Sequence, residues 1–114
     1  MDDEGLMKVT SAPKSQADRA ARLIADAFDH ARRMVSVYPD HPSMVIDELI
    51  AMFGGRQWML GGFFMGQYSY YIEVAGVRSW SRTCDEDGAR TALRVWIENA
   101  RQAIATNRNA VTHG

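Results

Sequence analysis

A chain of 114 residues with 46% hydrophobic and 24% charged side chains is long enough to bury a core without disulfides or metals, and this composition excludes a disordered segment. The formal net charge of −1 excludes recruitment of nucleic acid by whole-molecule electrostatics, although residues 1–54 carry six Lys/Arg against nine Asp/Glu and residues 55–114 carry seven against five. The single cysteine, Cys84, excludes an intramolecular disulfide framework and leads us to expect a reducing, cytoplasmic location.

The N-terminal MDDEGLMK is acidic and has no apolar centre, so it is not read as a signal peptide. Residues 1–14 lack periodicity and predict a flexible lead-in, in which Leu6, Met7 and Val9 are the only material for a short edge strand. Ser15 and Asp18 then match the start of a capped helix, with a carboxylate near the positive end of the helix dipole. Ala20, Leu23, Ile24, Ala27, Phe28, Ala31, Met34 and Val35 recur at three- and four-residue spacing, which predicts a helix over 15–37 with one buried face. Asp18 with Arg22 and Asp29 with Arg33 stand at (i, i+4) on the other side.

Tyr38-Pro39-Asp40-His41-Pro42 breaks that helix, because residues before proline avoid the α region. Asp40 is the expected cap of a second helix, with Pro42 tolerated in its first turn and Gly54-Gly55 as its stop. Val45, Ile46, Leu49, Ile50, Met52 and Phe53 cover much of its circumference, so helix 42–53 is expected to be buried within the fold or in a homodimer. Residues 57–60 are a candidate strand, and Gly61-Gly62 after them marks a bulge, a tight turn or a close backbone approach. Trp58, Phe63, Phe64 and Met65 are assigned to the core in preference to a ligand pocket. The longest apolar run, Trp58 to Met65, falls far short of the roughly 20 residues of a membrane-spanning helix.

Residues 68–74 and 77–83 are rich in Tyr, Val, Ile, Trp and Thr and flank Ala75-Gly76, the pattern of a β-hairpin with a two-residue loop. That loop pairs Val74 with Val77, Glu73 with Arg78, Ile72 with Ser79, and Tyr71 with Trp80. Alternation then places Tyr68, Tyr70, Ile72, Val74 and Val77 toward the core and Tyr71, Glu73, Arg78, Trp80 and Arg82 on the opposite face. Thr83 to Glu86 matches another capping box, followed by Ala89, Ala92, Leu93, Trp96, Ile97, Ala100 and Ile104, a helix running to about Thr106. Arg90, Arg94, Arg101 and Arg108 fall within about 40° of one another on it and form a basic stripe. The expected architecture is α+β: three helices packed on a small antiparallel sheet of two or three strands, in the order α-α-(β)-β-β-α. A single domain over 15–107 is followed by a frayed tail, 108–114.

The chemistry-bearing residues form no catalytic or metal pattern. His30, His41 and His113 pair locally with neither a serine nor Cys84, no metal-ligand spacing occurs, and the paired glycines lack the Lys-Ser/Thr of a phosphate loop. Cys84 sits at a helix start, which lowers a thiol's pKa, but Asp85, Glu86 and Asp87 beside it act in the opposite direction. We expect no enzyme activity, no cofactor and no metal.

The second sheet face carries the functional expectation, because Tyr, Trp and Arg dominate binding hot spots and aromatic rings can stack on bases. Against it stands a plainer reading in which a helix covers Trp80 and Tyr71 and the arginines line its rim. The candidate partner-binding residues are Tyr71, Arg78, Trp80, Arg82, Arg90, Arg94 and Arg101.

The segment YYIEVAGVRSWSRTCDEDGARTALRVWIENARQAI resembles the sheet-plus-helix unit of phage-type integrase arm-binding domains and of HicB-like antitoxins. The layout of the chain also resembles small phage-encoded inhibitors of bacterial defence systems. The leading expectation is a non-enzymatic protein-binding module, in the manner of a phage- or mobile-element-type inhibitor of a host defence protein. Nucleic-acid binding through the same face and the arginine stripe is the alternative. A small-ligand pocket near the Gly-rich segment, with His30 or His41 turned into it, is the third.

Overall fold

Ala75 and Gly76 set the register of the sheet. Both have positive φ, 53° and 82°, the signature of a type I′ turn, whose twist matches that of the strands it joins. The computed structural model describes residues 2–61 and 68–113, with side chains over 16–61 and 69–107. Its elements are α1 (Asp2–Val37), α2 (Pro42–Phe53), β1 (Gly55–Gly61), β2 (Tyr68–Val74), β3 (Val77–Ser81) and α3 (Glu86–His113). The three strands form an antiparallel meander in the order β1-β2-β3, so the architecture is the expected α+β arrangement with all three strands present.

The pairing of β2 with β3 is the one the loop length dictates: Val74 with Val77, Glu73 with Arg78, Ile72 with Ser79, Tyr71 with Trp80. On the inner face Tyr70, Ile72 and Val74 are buried against Val45, Ile46 and Leu49 of α2 and Ala89, Ala92, Leu93, Trp96 and Ala100 of α3. Ala27 and Ala31 of α1 close the same cluster. Small residues on α3 let its backbone approach β3 closely enough for the Ser79 hydroxyl to donate to the Ala92 carbonyl at 2.7 Å. Trp96 is fully buried, and its indole N–H donates to the carbonyls of Val74 at 3.2 Å and Val77 at 3.1 Å. One side chain thus fills the centre of the core and ties α3 to the closing pair of the hairpin.

The element boundaries differ from the expected ones at identifiable places. α1 begins at Asp2 rather than at Ser15, since extending an existing helix needs no new nucleation. Neither Asp18 with Arg22 nor Asp29 with Arg33 closes to ion-pair distance. His41, and not Asp40, occupies the N-cap of α2 without a side-chain bond; Pro42 at the first position has no N–H to be capped. α2 buries Val45, Ile46 and Leu49 but leaves Met44 and Met52 exposed, so it is amphipathic and not buried all round.

At the start of α3 the cap is Asp85 rather than Thr83. Its carboxylate accepts the Gly88 N–H at 2.8 Å and the Thr83 hydroxyl at 2.9 Å, bonds that hold its pKa below the ordinary value. Gly88 is required there by close approach, because a Cβ would lie 1.9 Å from the Thr83 carbonyl oxygen. α3 continues past Thr106 to His113. The Gly62 half of the glycine pair, Phe63, Phe64 and Met65 lie outside the described residues, as do the side chains of Tyr68 and Arg108.

Two substitutions test this account by urea denaturation. Trp96→Phe keeps a buried ring and leaves the two carbonyls their partners within the hairpin, but it removes both bonds from the indole N–H and leaves a small void, and is expected to cost about 2 kcal/mol. Gly76→Ala meets no neighbouring atom, so its expected cost of about 1–2 kcal/mol comes from the left-handed backbone alone.

Candidate functional site

Strand alternation and the observed register build two rows across the outer face of the sheet. Arg56 of β1 faces Glu73 of β2, which faces Arg78 of β3; one pair along, Trp58 faces Tyr71, which faces Trp80. The charged row is closed by a single carboxylate: Glu73 accepts from Nε of Arg56 and from Nε of Arg78, each at 3.1 Å. Hydrogen bonds from Arg78 and then Arg56, reinforced by their charge, hold the Glu73 carboxyl below its ordinary pKa.

The aromatic row is continuous. Trp58 and Tyr71 stack with centroids 5.5 Å apart and planes 12° from parallel, and Tyr71 meets Trp80 at 6.4 Å and 31°. The Arg56 guanidinium lies over the Trp58 ring, 4.4 Å from its centroid, with that of Arg78 at 5.7 Å. Cross-strand aromatic pairs contribute about 0.2–1 kcal/mol each, so the row is held in place by its own members. Trp80 ends the row and is 49% exposed. The helices pack on the inner side, through Trp96 and Ala92 on α3 and the Val45–Leu49 stripe of α2, and leave Trp80 half exposed with Val95 of α3 at its border.

The seven candidate residues separate into two groups. Tyr71, Arg78 and Trp80 stand together on the outer face, and Arg82 follows just past the end of β3, lining a hollow beside Trp80. Arg90, Arg94 and Arg101 stand on a different side of α3. Arg90 donates to Asp87 at 2.8 Å and to the Pro39 carbonyl at 3.4 Å, and Arg101 lies 3.8 Å from Glu98 and over the Phe28 ring of α1. Arg90 and Arg94 rim a hollow of about 340 Å³ whose walls include Val35, Pro42, Leu93 and Ile97. The α3 residues that reach the sheet's outer side are instead Val95 and Asn99.

Trp58 is a correction: assigned to the core, it lies on the outer face because its partner Tyr71 does. Arg56 and Trp58 complete the two rows and were hidden in the sequence, since nothing in RQWMLGGFFMG specifies the register of β1. On the inner side, Tyr70 donates to Gln57 at 2.5 Å and Gln57 donates to Asp47 at 2.7 Å. Burial, helped by the negative charge of Asp47, pushes the Tyr70 pKa up to about 12. That chain is fully used in joining α2 to the sheet. His30 is engaged by Glu48 at 2.7 Å and packs on Phe53. Cys84 is exposed. Among the described residues no group of three His, Cys, Asp or Glu is placed to hold a metal ion, and no helix is long and apolar enough to cross a membrane.

Nothing matches this chain among protein-family models, curated proteins or solved structures.

The depressed Glu73 pKa has a signed consequence. A carboxylate held below its ordinary value of 4.5 contributes stability that is present above that value and is lost as pH falls through the folded-state pKa. Thermal melts from pH 7 to pH 3 are therefore expected to show the wild type more stable than Glu73→Gln at neutral pH. The two curves converge as pH falls through the lowered folded-state pKa of Glu73.

Proposed function

We propose that this chain is a non-enzymatic protein-binding module whose partner seats on the outer face of the sheet. The observation that carries the reading is the Trp58–Tyr71–Trp80 row, with Trp80 half exposed beside Arg78. A partly exposed tryptophan next to an arginine, on a support already fixed by its neighbours, is the composition of an interface anchor. It offers apolar area at low entropic cost, with guanidinium donors at the rim. An antagonist that works by occluding a partner's surface needs nothing beyond such a face.

Three features favour a protein partner over a nucleic acid. Glu73 sits in the middle of the arginine row and repels phosphate. The π surface of Trp58 is engaged by Tyr71 and Arg56 and is not free to stack on a base. Arg101 lies over Phe28 of α1 and Arg90 reaches the Pro39 carbonyl between α1 and α2, so neither shares a backbone track with Arg78. Together with a net charge of −1, these leave little of the continuous basic surface on which single-strand and duplex binders depend.

The test is capture of a partner from nuclease-treated host lysate, followed by affinity measurement on the identified protein. Trp80→Ala is expected to weaken binding by about 30-fold, the loss of a hot spot worth roughly 2 kcal/mol, with an unchanged far-ultraviolet circular dichroism spectrum. Capture that survives Trp80→Ala and Arg78→Ala together rejects the face. A wild-type complex with single-stranded DNA or RNA that fades steeply with salt would replace this reading by the nucleic-acid one.

A further inference from the structure

β3 is an edge strand, and three observations bear on what its free edge does. A two-residue type I′ loop makes Val74–Val77 a closely hydrogen-bonded pair, so the next pairs alternate: the N–H and C=O groups of Arg78 and Trp80 turn away from β2. The Arg78 carbonyl shows this directly, accepting from Asn99 Nδ2 at 2.8 Å on α3. Among the described residues, the Arg78 N–H and both backbone groups of Trp80 have no such partner. The edge is neither paired nor fully blunted, the condition under which a strand templates another.

The space beside this edge is walled. Thr91, Val95 and Asn99 recur every four residues along one flank of α3, and with β3 they border two shallow hollows of about 460 Å³ and 690 Å³ that share Trp80 and Val95. The larger hollow extends over the outer face to Arg56, Trp58 and Tyr71; hydrogen-bonded strands lie about 4.8 Å apart, so a segment paired to β3 would border both hollows at Trp80 and Val95. The charges along this edge are also ordered. Glu73 serves two guanidiniums, Arg56 and Arg78, and so leaves that row one positive charge in excess. Arg82, four residues beyond Arg78, has no carboxylate partner among the described residues, while Asp87 in the adjoining hollow is neutralised by Arg90 at 2.8 Å.

We infer that β3 accepts an added strand from its protein partner, an extended segment of the pattern acidic–x–apolar–x–acidic. Its apolar side chain packs on Trp80 and its two carboxylates face Arg78 and Arg82. Main-chain bonds to the Arg78–Trp80 edge supply the affinity, and the alternate side chains supply the specificity. This rests on reading the outer face as a protein-binding surface, and adds to it the conformation and charge pattern of what binds.

The experiment is a fluorescence-anisotropy titration of the full chain with a labelled peptide, Thr-Glu-Thr-Ile-Thr-Glu-Thr. The Trp80 carbonyl is reached by the isoleucine amide in antiparallel addition and by the amide of the following threonine in parallel addition. Saturable binding is expected, and N-methylation of one of these two amides should weaken it at least tenfold while every side chain stays unchanged. Arg82→Glu should weaken binding of the parent peptide at least tenfold and be rescued by a peptide with lysine in place of the facing glutamate. No saturable binding, or binding indifferent to both N-methylations, overturns the strand addition. If the peptide fails while Trp80→Ala still abolishes capture of the intact partner, the edge is refuted and the face stands; if both fail, the face is refuted as well.

Discussion

The closing pair of the β2–β3 hairpin, held from beneath by the Trp96 indole, is the constraint from which the rest of the structure follows. A side chain that must be buried and must satisfy a donor finds two carbonyls, of Val74 and Val77, where β2 turns back into β3. This contact sets where α3 crosses the sheet. It also pins the register, because a slip of one residue would carry Ile72 and Val74 into water and bring Glu73 and Arg78 into the core. The positive φ of Ala75, unusual for a residue with a Cβ, is tolerated because this pairing and the bond from its N–H to the Gly54 carbonyl, 2.9 Å, over-determine the turn.

Once the inner face is committed, the outer face is a consequence. The residues left there do not point separately into solvent but satisfy one another across three strands. One carboxylate is shared by two guanidiniums, and one aromatic row is braced by the nearer of them. Such mutual support lowers the ordering cost that a flexible aromatic and arginine patch would meet on association. It also narrows the chemistry the patch can perform, since rings and charges occupied with one another are poor stacking platforms and poor phosphate ligands. What remains available is the exposed half of Trp80, the outer edges of the guanidiniums and the unpaired margin of β3.

The expected helical segments, the hairpin and its pairing are all present, and the reasons are local. Helix periodicity in 20–35 and 89–104, the Gly54 stop and the Ala75-Gly76 loop are each encoded within about one turn of the chain. The caps were less legible. Asp40, Thr83 and Ser15 were all plausible caps by type, yet His41 and Asp85 take two of those positions and the third is passed over by a continuing helix. Which of several adjacent oxygens reaches an N–H depends on backbone angles that neighbouring packing sets. Trp58 went unrecognised as a surface residue for a related reason: an aromatic in an apolar run carries no mark of the side it will face.

The chain's own pattern was therefore sufficient for the class of fold, the hairpin register and the composition of one sheet face, because each depends on contacts between residues close in sequence. Assembly in three dimensions settled three further matters. It left Trp80 on that face half exposed, it joined β1 with Arg56 and Trp58 to it, and it turned Arg101 of α3 toward Phe28 of α1. These are relations between elements brought together only by burial of a common core, and the hydrophobic effect that drives them, being non-directional, writes no address for them in any single stretch of residues.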